Sequence, residues 1–271
     1  MIIMNAQVVA IDGKKGAEMA LPAQFAEAYR PDLIRRAFLS ERSFTYQPKG
    51  NYPMAGRNYT AEYYGRRHAW RQTINTGRSR LPRVKIPGGR SGRVLTVPHA
   101  THGTRAHPPK ANKILKERIN IKEKNYAIRS AIAATGVKEL VEKRGHKFEQ
   151  AIIFPIIADT ALEGIKKAKD AKAAFVAFGF EQDIERAHDA RTMRSGRARL
   201  RRGGYRTPSS VLVVIGKDSG IWKAARNLPG VDVVSVEKLT VELLCPGGEA
   251  GRLTVWTKDA VEKLSAENLF M

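Results

Sequence analysis

Four aromatic side chains, Tyr59, Tyr63, Tyr64 and Trp70, interleave with Arg57, Arg66, Arg67 and Arg71 in the stretch RNYTAEYYGRRHAWRQ. Rings and guanidinium planes stack on exposed bases, and an arginine fork can place two parallel hydrogen bonds on phosphate oxygens. The competing reading is a solvated basic helix that packs its tyrosines on a core. No core-facing period accounts for the tyrosines and arginines together, so the stretch points to nucleic-acid contact.

Downstream, SRLPRVKIPGGRSGR (Ser79 to Arg93) holds five basic side chains and no acid, with two prolines and three glycines. Little here can be buried, so ordering needs a partner. GGRSGR contains a G-x-x-G, which some RNA-binding modules use as a backbone clamp; the glycines are explained as well by close approach of the chain to another surface. His99, His102 and His107 lie within nine residues in HATHGTRAHPP. Three histidines can bind zinc, but the neighbouring arginines would repel a cation, so stacking or phosphate contact is the expectation and no metal is assigned.

Enzymatic chemistry finds little support. IGKDSG follows the strand-like SVLVV but has neither the dinucleotide fingerprint nor a P-loop ending in Lys-Ser or Lys-Thr. Asp218 or Ser219 is expected to cap the next helix. Cys245 precedes Pro-Gly-Gly without an evident base and is expected to be a structural thiol. No carboxylate pair stands out.

Something must position these residues, and the totals say that a folded body does. Forty-eight Lys and Arg face 26 Asp and Glu, for a formal charge of +22, while 42% of residues are hydrophobic, an ordinary fraction for a globular chain. A polyanion is the expected partner. The single cysteine fits a reducing compartment, the cytoplasm. The longest apolar run, AIIFPIIA, falls far short of the roughly 20 residues of a membrane span. The N-terminus reads as a first strand and not as a signal peptide.

Along the chain, Val8 and Ile11 with Asp12-Gly13 predict a strand that turns back on itself, closed by Pro22. A helix starts at Pro31, with Leu33, Ile34, Ala37 and Phe38 at helical spacing, and ends by Pro48 and Gly50. Periodicity then disappears from 50 to 110, where 12 Lys or Arg accompany one acid, Glu62. It resumes in a helix through Ile128, Ala131, Ile132 and Thr135, a strand in AIIFPII, and a capping box of Thr160 and Glu163 leading a helix through GIKKAKDAKAAFVAF. A second aperiodic run, 186 to 206, carries eight Arg and one acid, Asp189. SVLVVIG, VDVVSV and RLTVW then read as strands. SGIWKAARNL, with Ile221, Ala224, Ala225 and Leu228 inward, and TKDAVEKL read as helices. This alternation predicts an α/β fold: a mostly parallel sheet flanked by helices, with a long extended basic loop inserted near the N-terminus. The organisation expected is a single domain over 1–271 with basic loops at 50–110 and 186–206. About 190 residues remain outside those loops, one domain by length.

The order of these parts resembles the large-subunit ribosomal protein four family in its archaeal and eukaryotic form. The resemblance rests on TGRSRLPRVKIPGGRSG, HGTRAHPPK, AIRSAIAAT, RGHKF, SGRARLRRGGYR and NLPGVDVVSVEKLTVELLCPGGEAGRLTVWTKDAVEKL, and runs over nearly the whole chain. Cys245 departs from the alanine expected there in many relatives. The short segment after Gly251 favours the archaeal form.

The resemblance implies a structural constituent of the large ribosomal subunit that binds its RNA, supports assembly, and sends an extended loop to the wall of the polypeptide exit tunnel. It implies neighbouring ribosomal proteins and transient contact with the nascent polypeptide as partners, with no cofactor, membrane or small-molecule substrate. RNA contact is expected at Arg57, Arg66, Arg67, Trp70 and Arg71; at Arg78, Arg80, Arg83, Arg90 and Arg93; at His99, His102, Arg105, His107 and Lys110; and at Arg194, Arg197, Arg199, Arg201, Arg202 and Arg206. The loop tip facing the tunnel is expected at Arg83, Val84, Lys85, Ile86, Pro87, Gly88 and Gly89. Two other readings compete: an RNA-processing or RNA-modifying enzyme with basic substrate-binding arms, and a DNA-packing protein. The first lacks a catalytic constellation in sequence; the second sits poorly with irregular basic loops.

Overall fold

The computed structural model describes residues 5–63, 74–86, 91–94, 97–201 and 203–271. The chain divides into two compact units, one of Met1–Thr45 with Lys116–Met271 and one of Tyr46–Leu115. Arg66, Arg67, Trp70, Arg71, Pro87, Gly88, Gly89, Arg90 and Arg202 lie outside the described residues.

In chain order the elements are β1 (Asn5–Val9), β2 (Lys15–Ala20), α1 (Pro31–Ser43), β3 (Arg83–Lys85), β4 (Ser91–Val94), α2 (Ile121–Thr135), α3 (Lys138–Lys143), β5 (Ile156–Ala158) and α4 (Ala168–Ala177). There follow α5 (Glu181–Asp189), β6 (Thr192–Met193), α6 (Arg197–Arg201), β7 (Tyr205–Arg206), β8 (Leu212–Ile215), α7 (Ile221–Ala225), β9 (Asp232–Ser235), α8 (Val241–Leu244), β10 (Thr254–Thr257) and α9 (Lys258–Ala266).

The first unit is built on a six-stranded sheet in the order β2-β1-β5-β10-β8-β9. Only β1 and β2 pair antiparallel, through the Asp12-Gly13 turn, where Gly13 has φ +78°; the other pairings are parallel. The central strands β8 and β10 are buried along their length, and their side chains alternate between two cores as period-2 geometry requires. Leu212, Val214 and Trp256 join one layer with Ile34, Ile128, Ile132 and Leu264. Val213, Ile215 and Val255 join the other with Phe175, Phe180, Ile184 and Ile221. Trp256 meets Phe25 edge-on at 5.2 Å between ring centroids, a favoured aromatic geometry. Helices thus cover both faces of a mixed, mostly parallel sheet.

Several local expectations change. α1 ends at Ser43, before Pro48, because Ser40 and Ser43 turn their hydroxyls to the returning chain at Glu117. Of AIIFPII only Ile156 and Ile157 lie in a strand, with Ala158; Pro155 has no N–H for a ladder, and Ile153 is half exposed. α7 ends at Ala225, leaving Leu228 partly buried beyond it. The capping box at Thr160 does not form. Asp159 caps there instead, and Glu163 turns inward. The run from 186 to 206 is also not aperiodic: α5 reaches Asp189, and β6 and β7 form a hairpin carrying α6 at its end.

Candidate nucleic-acid interface

Among the described residues of the second unit, backbone bonds gather the chain. Glu62 and Arg83 exchange both backbone hydrogen bonds, at 3.0 and 2.8 Å. β3 and β4 pair antiparallel, with Arg83 opposite Val94 and Lys85 opposite Ser91. Gly92 allows this closeness, since a Cβ there would lie 2.7 Å from the Val84 carbonyl oxygen. At Gly56, φ +80°, a Cβ would come within 2.2 Å of the Arg105 carbonyl oxygen, so the outgoing and returning limbs touch. Among the described residues the unit's apolar centre is Ala61, Val97 and Ala100, with Val94 against them. The described residues pair locally where the lack of periodicity predicts no strand, because strand pairing answers to backbone groups that no side-chain pattern reports.

The described rings of the Arg57 stretch are exposed. Tyr59 is 45% exposed and Tyr63 46%, beside the exposed Arg57. They are not core-packing tyrosines, which removes the competing reading of that stretch for the residues described. Arg78, Arg80, Arg93, His99, His102, Arg105, His107 and Lys110 are likewise exposed, and Ile86 is 44% exposed. Val84 is half-buried. Arg83 differs from its neighbours: its guanidinium donates to the Gly92 carbonyl at 3.2 Å and to the Ser79 hydroxyl at 3.2 Å, fastening the hairpin.

The second basic segment is a hairpin closed at β6 and β7. Arg194 donates from its backbone N–H to Gly204 at 2.8 Å and from Nε to the Tyr205 carbonyl at 2.9 Å, so this half-buried arginine closes the hairpin. Arg191 lies 4.3 Å from the centroid of the Tyr205 ring. Beyond that closure Arg197, Arg199, Leu200 and Arg201 on α6 are exposed, and Arg206 on β7, opposite Thr192 at the base, is exposed too. At the base, Arg186 donates to Asp183 at 2.9 Å and to the Ser209 carbonyl at 3.0 Å.

Not every positive charge is available to a partner. Arg252 is 1% exposed and donates to the carbonyls of Ser210, Leu243 and Gly230 and to the Asp232 carboxylate. Asp183 accepts from His146 at 3.1 Å, from Arg186, and from the Lys147 N–H at 3.1 Å. Burial holds the His146 imidazole below its usual range despite that carboxylate. Burial opposes the charge on Asp183, yet the bonds from His146, Arg186 and Lys147 prevail and bring its carboxyl below the ordinary value. Cys245 is buried, and desolvation pushes its thiol up to about 12, as suits a structural cysteine.

An enzyme on an open parallel sheet places its chemistry at the carboxyl ends of the strands. At that place the Glu163 side chain, after β5, is buried. One carboxylate oxygen accepts the Gly216 N–H at 2.8 Å beyond β8 and the Thr257 hydroxyl at 2.6 Å at the end of β10; the other accepts the Lys217 N–H at 3.2 Å. Gly216 approaches so closely that a Cβ would lie 2.8 Å from Asp259 Cβ. The Thr-x-x-Glu spacing pointed to a helix cap; the actual partners lie 53 to 94 residues away. Asp218 does cap α7, accepting from Gly220 at 3.0 Å and Trp222 at 3.4 Å. Among the described residues no group of three or more His, Cys, Asp and Glu is placed to hold a metal ion, and no helix is long and apolar enough to cross a membrane.

A family model described as the ribosomal protein L4/L1 family matches residues 19–267. The large ribosomal subunit protein uL4 of Methanocaldococcus jannaschii is 47% identical over 261 residues, 96% of this chain and 98% of that protein. The protein of the same name from Archaeoglobus fulgidus is 46% identical over the same shares. That of Pyrobaculum aerophilum is 44% identical over 95% of this chain and 88% of its own length.

Proposed function

The chain belongs to the ribosomal protein L4/L1 family, and from that premise we propose how it serves as a structural constituent of the large ribosomal subunit. It is an archaeal-type member and not an enzyme. Its partner is large-subunit ribosomal RNA, with neighbouring ribosomal proteins around it. The observation that carries the RNA reading is the outward pair Tyr59 and Tyr63 beside Arg57, in a unit whose described residues form a core of Ala61, Val97 and Ala100. Rings and arginines left to solvent supply stacking faces and phosphate forks.

In this reading Arg57, Arg66, Arg67, Trp70 and Arg71 on one limb, and Arg93, His99, His102, Arg105, His107 and Lys110 on the other, anchor an extended loop in RNA. Arg78, Arg80 and Arg90 continue that contact toward the tip. Arg197, Arg199, Arg201, Arg202 and Arg206 form a second contact, oriented by Arg194. The tip, Arg83 to Gly89, contributes to the wall of the exit tunnel and touches the nascent polypeptide, with Arg83 fixing its shape. The enzyme alternative is disfavoured by Glu163, the carboxylate at the strand ends, which is committed to three internal donors.

Sedimentation tests the assignment. The chain should travel with the large subunit on a gradient and remain there after a high-salt wash, as a threaded loop requires. Release by the wash would leave only peripheral attachment.

A further inference from the structure

We propose a third RNA-binding surface, on the sheet unit itself, formed by Trp222 with Lys166, Lys217, Lys223 and Arg226. It rests on the reading that this chain binds ribosomal RNA, and extends it to a face that neither basic loop reaches in sequence. Trp222 is 41% exposed although it follows the fully buried Ile221. Its ring is backed by the Arg226 guanidinium, 4.4 Å from the centroid. Lys217, Lys223 and Arg226 are all exposed. Lys166 joins them across the turn, since a Cβ on Gly220 would lie 3.0 Å from Lys166 Cγ.

The surface is held rigidly from beneath. Glu163 fixes the backbone N–H of Lys217, and Asp218 takes the N–H groups of Gly220 and Trp222. Asp218 is the acid on this turn, and its Oδ1 is committed to those backbone bonds. What is left outward is an indole backed by Arg226, with the exposed Lys166, Lys217 and Lys223 on the adjoining turn and helix and the single exposed carboxylate of Asp218 among them. An indole face with a guanidinium against it is a stacking platform for an unpaired base, and the surrounding cations suit the phosphates on either side of that base. An apolar protein partner would leave the excess of these four cations over Asp218 to be desolvated without counter-charge; a nucleic-acid strand supplies it.

The test uses the full-length protein and purified archaeal large-subunit ribosomal RNA, with affinity measured across a series of KCl concentrations. Alanine at Lys166, Lys217, Lys223 and Arg226 together should lower affinity and flatten the slope of log affinity on log salt by about 3, from four lost phosphate contacts. Trp222→Ala should weaken binding about tenfold with the slope kept, because stacking releases few counterions. A control that exchanges Lys for Arg and Arg for Lys at the four positions should keep the slope, and unfolding curves identify any variant that fails to fold. A steep wild-type slope left unchanged in the quadruple variant overturns this surface alone. If that variant also drops out of assembled subunits, the face belongs to a neighbouring protein, which overturns it too. No salt-dependent binding by the wild type overturns the parent reading as well.

Discussion

The Ser43 hydroxyl oxygen accepts the backbone N–H of Glu117 at 2.8 Å, across 74 residues of chain. The same hydroxyl donates to the Ser40 carbonyl at 2.6 Å, and the Ser40 hydroxyl donates to the Glu117 carbonyl at 2.6 Å. The end of α1 thus clamps the chain where it returns to the sheet unit, and both backbone groups of Glu117 are satisfied at one point. An insertion can vary in shape beyond such a clamp without disturbing the sheet beneath it.

Replacing Ser40 and Ser43 with alanine leaves those backbone groups of Glu117 without partners in a partly buried place. The expected loss is about 1–3 kcal/mol. A urea titration should show a lower midpoint with unchanged steepness. An unchanged midpoint would mean that the clamp holds nothing.

Acid should destabilise the sheet unit in two stages. Burial first, against the pull of Asp183, keeps the folded His146 pKa below that of the unfolded chain. The unfolded state therefore takes up a proton near pH 6.5 that the folded state refuses, and stability falls as pH drops below about 6.5, by at most about 1.4 kcal/mol per pH unit for one proton. Asp183 adds a second loss at lower pH, since its folded pKa is depressed; its contribution is present above about 3.8 and disappears as pH falls through the folded value. His146→Gln should remove the first stage and keep the second. Stability measured from pH 7 to 5.5 that slopes equally in both proteins would contradict the assignment.

Arginines that look alike in sequence should separate by their effect on RNA binding. Changing Arg197, Arg199, Arg201 and Arg202 together to glutamine should lower RNA affinity and flatten its dependence on salt by about 3. Arg252→Gln should instead lower the unfolding midpoint and leave the salt slope of the folded protein unchanged. A shared effect on the slope would mean that burial does not decide which charges meet RNA.

The tip gives a separate expectation. A photocrosslinker at position 85, in ribosomes stalled on a nascent chain, should reach the polypeptide, and Lys85→Ala should leave incorporation into large subunits nearly normal. Crosslinks confined to RNA, or a block in assembly, would make the tip an anchor and not a tunnel wall.

The sheet was legible wherever burial wrote itself into the chain. SVLVVIG and RLTVW are apolar because β8 and β10 are covered on both faces, and α2 keeps its apolar spacing because one face packs inward. α5 was missed because its charged residues outnumber Ile184 and Ala187, the apolar pair it buries. Glu163 was misread because Thr-x-x-Glu is a local signal, while three tertiary donors decide where the carboxylate goes. The Ser43–Glu117 clamp had no signal at all: serine is common, and nothing local links residues 74 apart. In the candidate interface, residue types named the chemistry, but only exposure distinguished outward Arg197 from Arg194, which fastens its own hairpin, and from buried Arg252.

The most direct test of the account is to irradiate purified archaeal large subunits with ultraviolet light, digest them, and map nucleotide-bearing peptides of this protein by mass spectrometry. The account predicts adducts on the segments carrying Tyr59 and Tyr63 and on the arm from Arg197 to Arg206, with none on the buried strands β8 and β10. Adducts absent from both segments, in subunits that contain the protein, would contradict it.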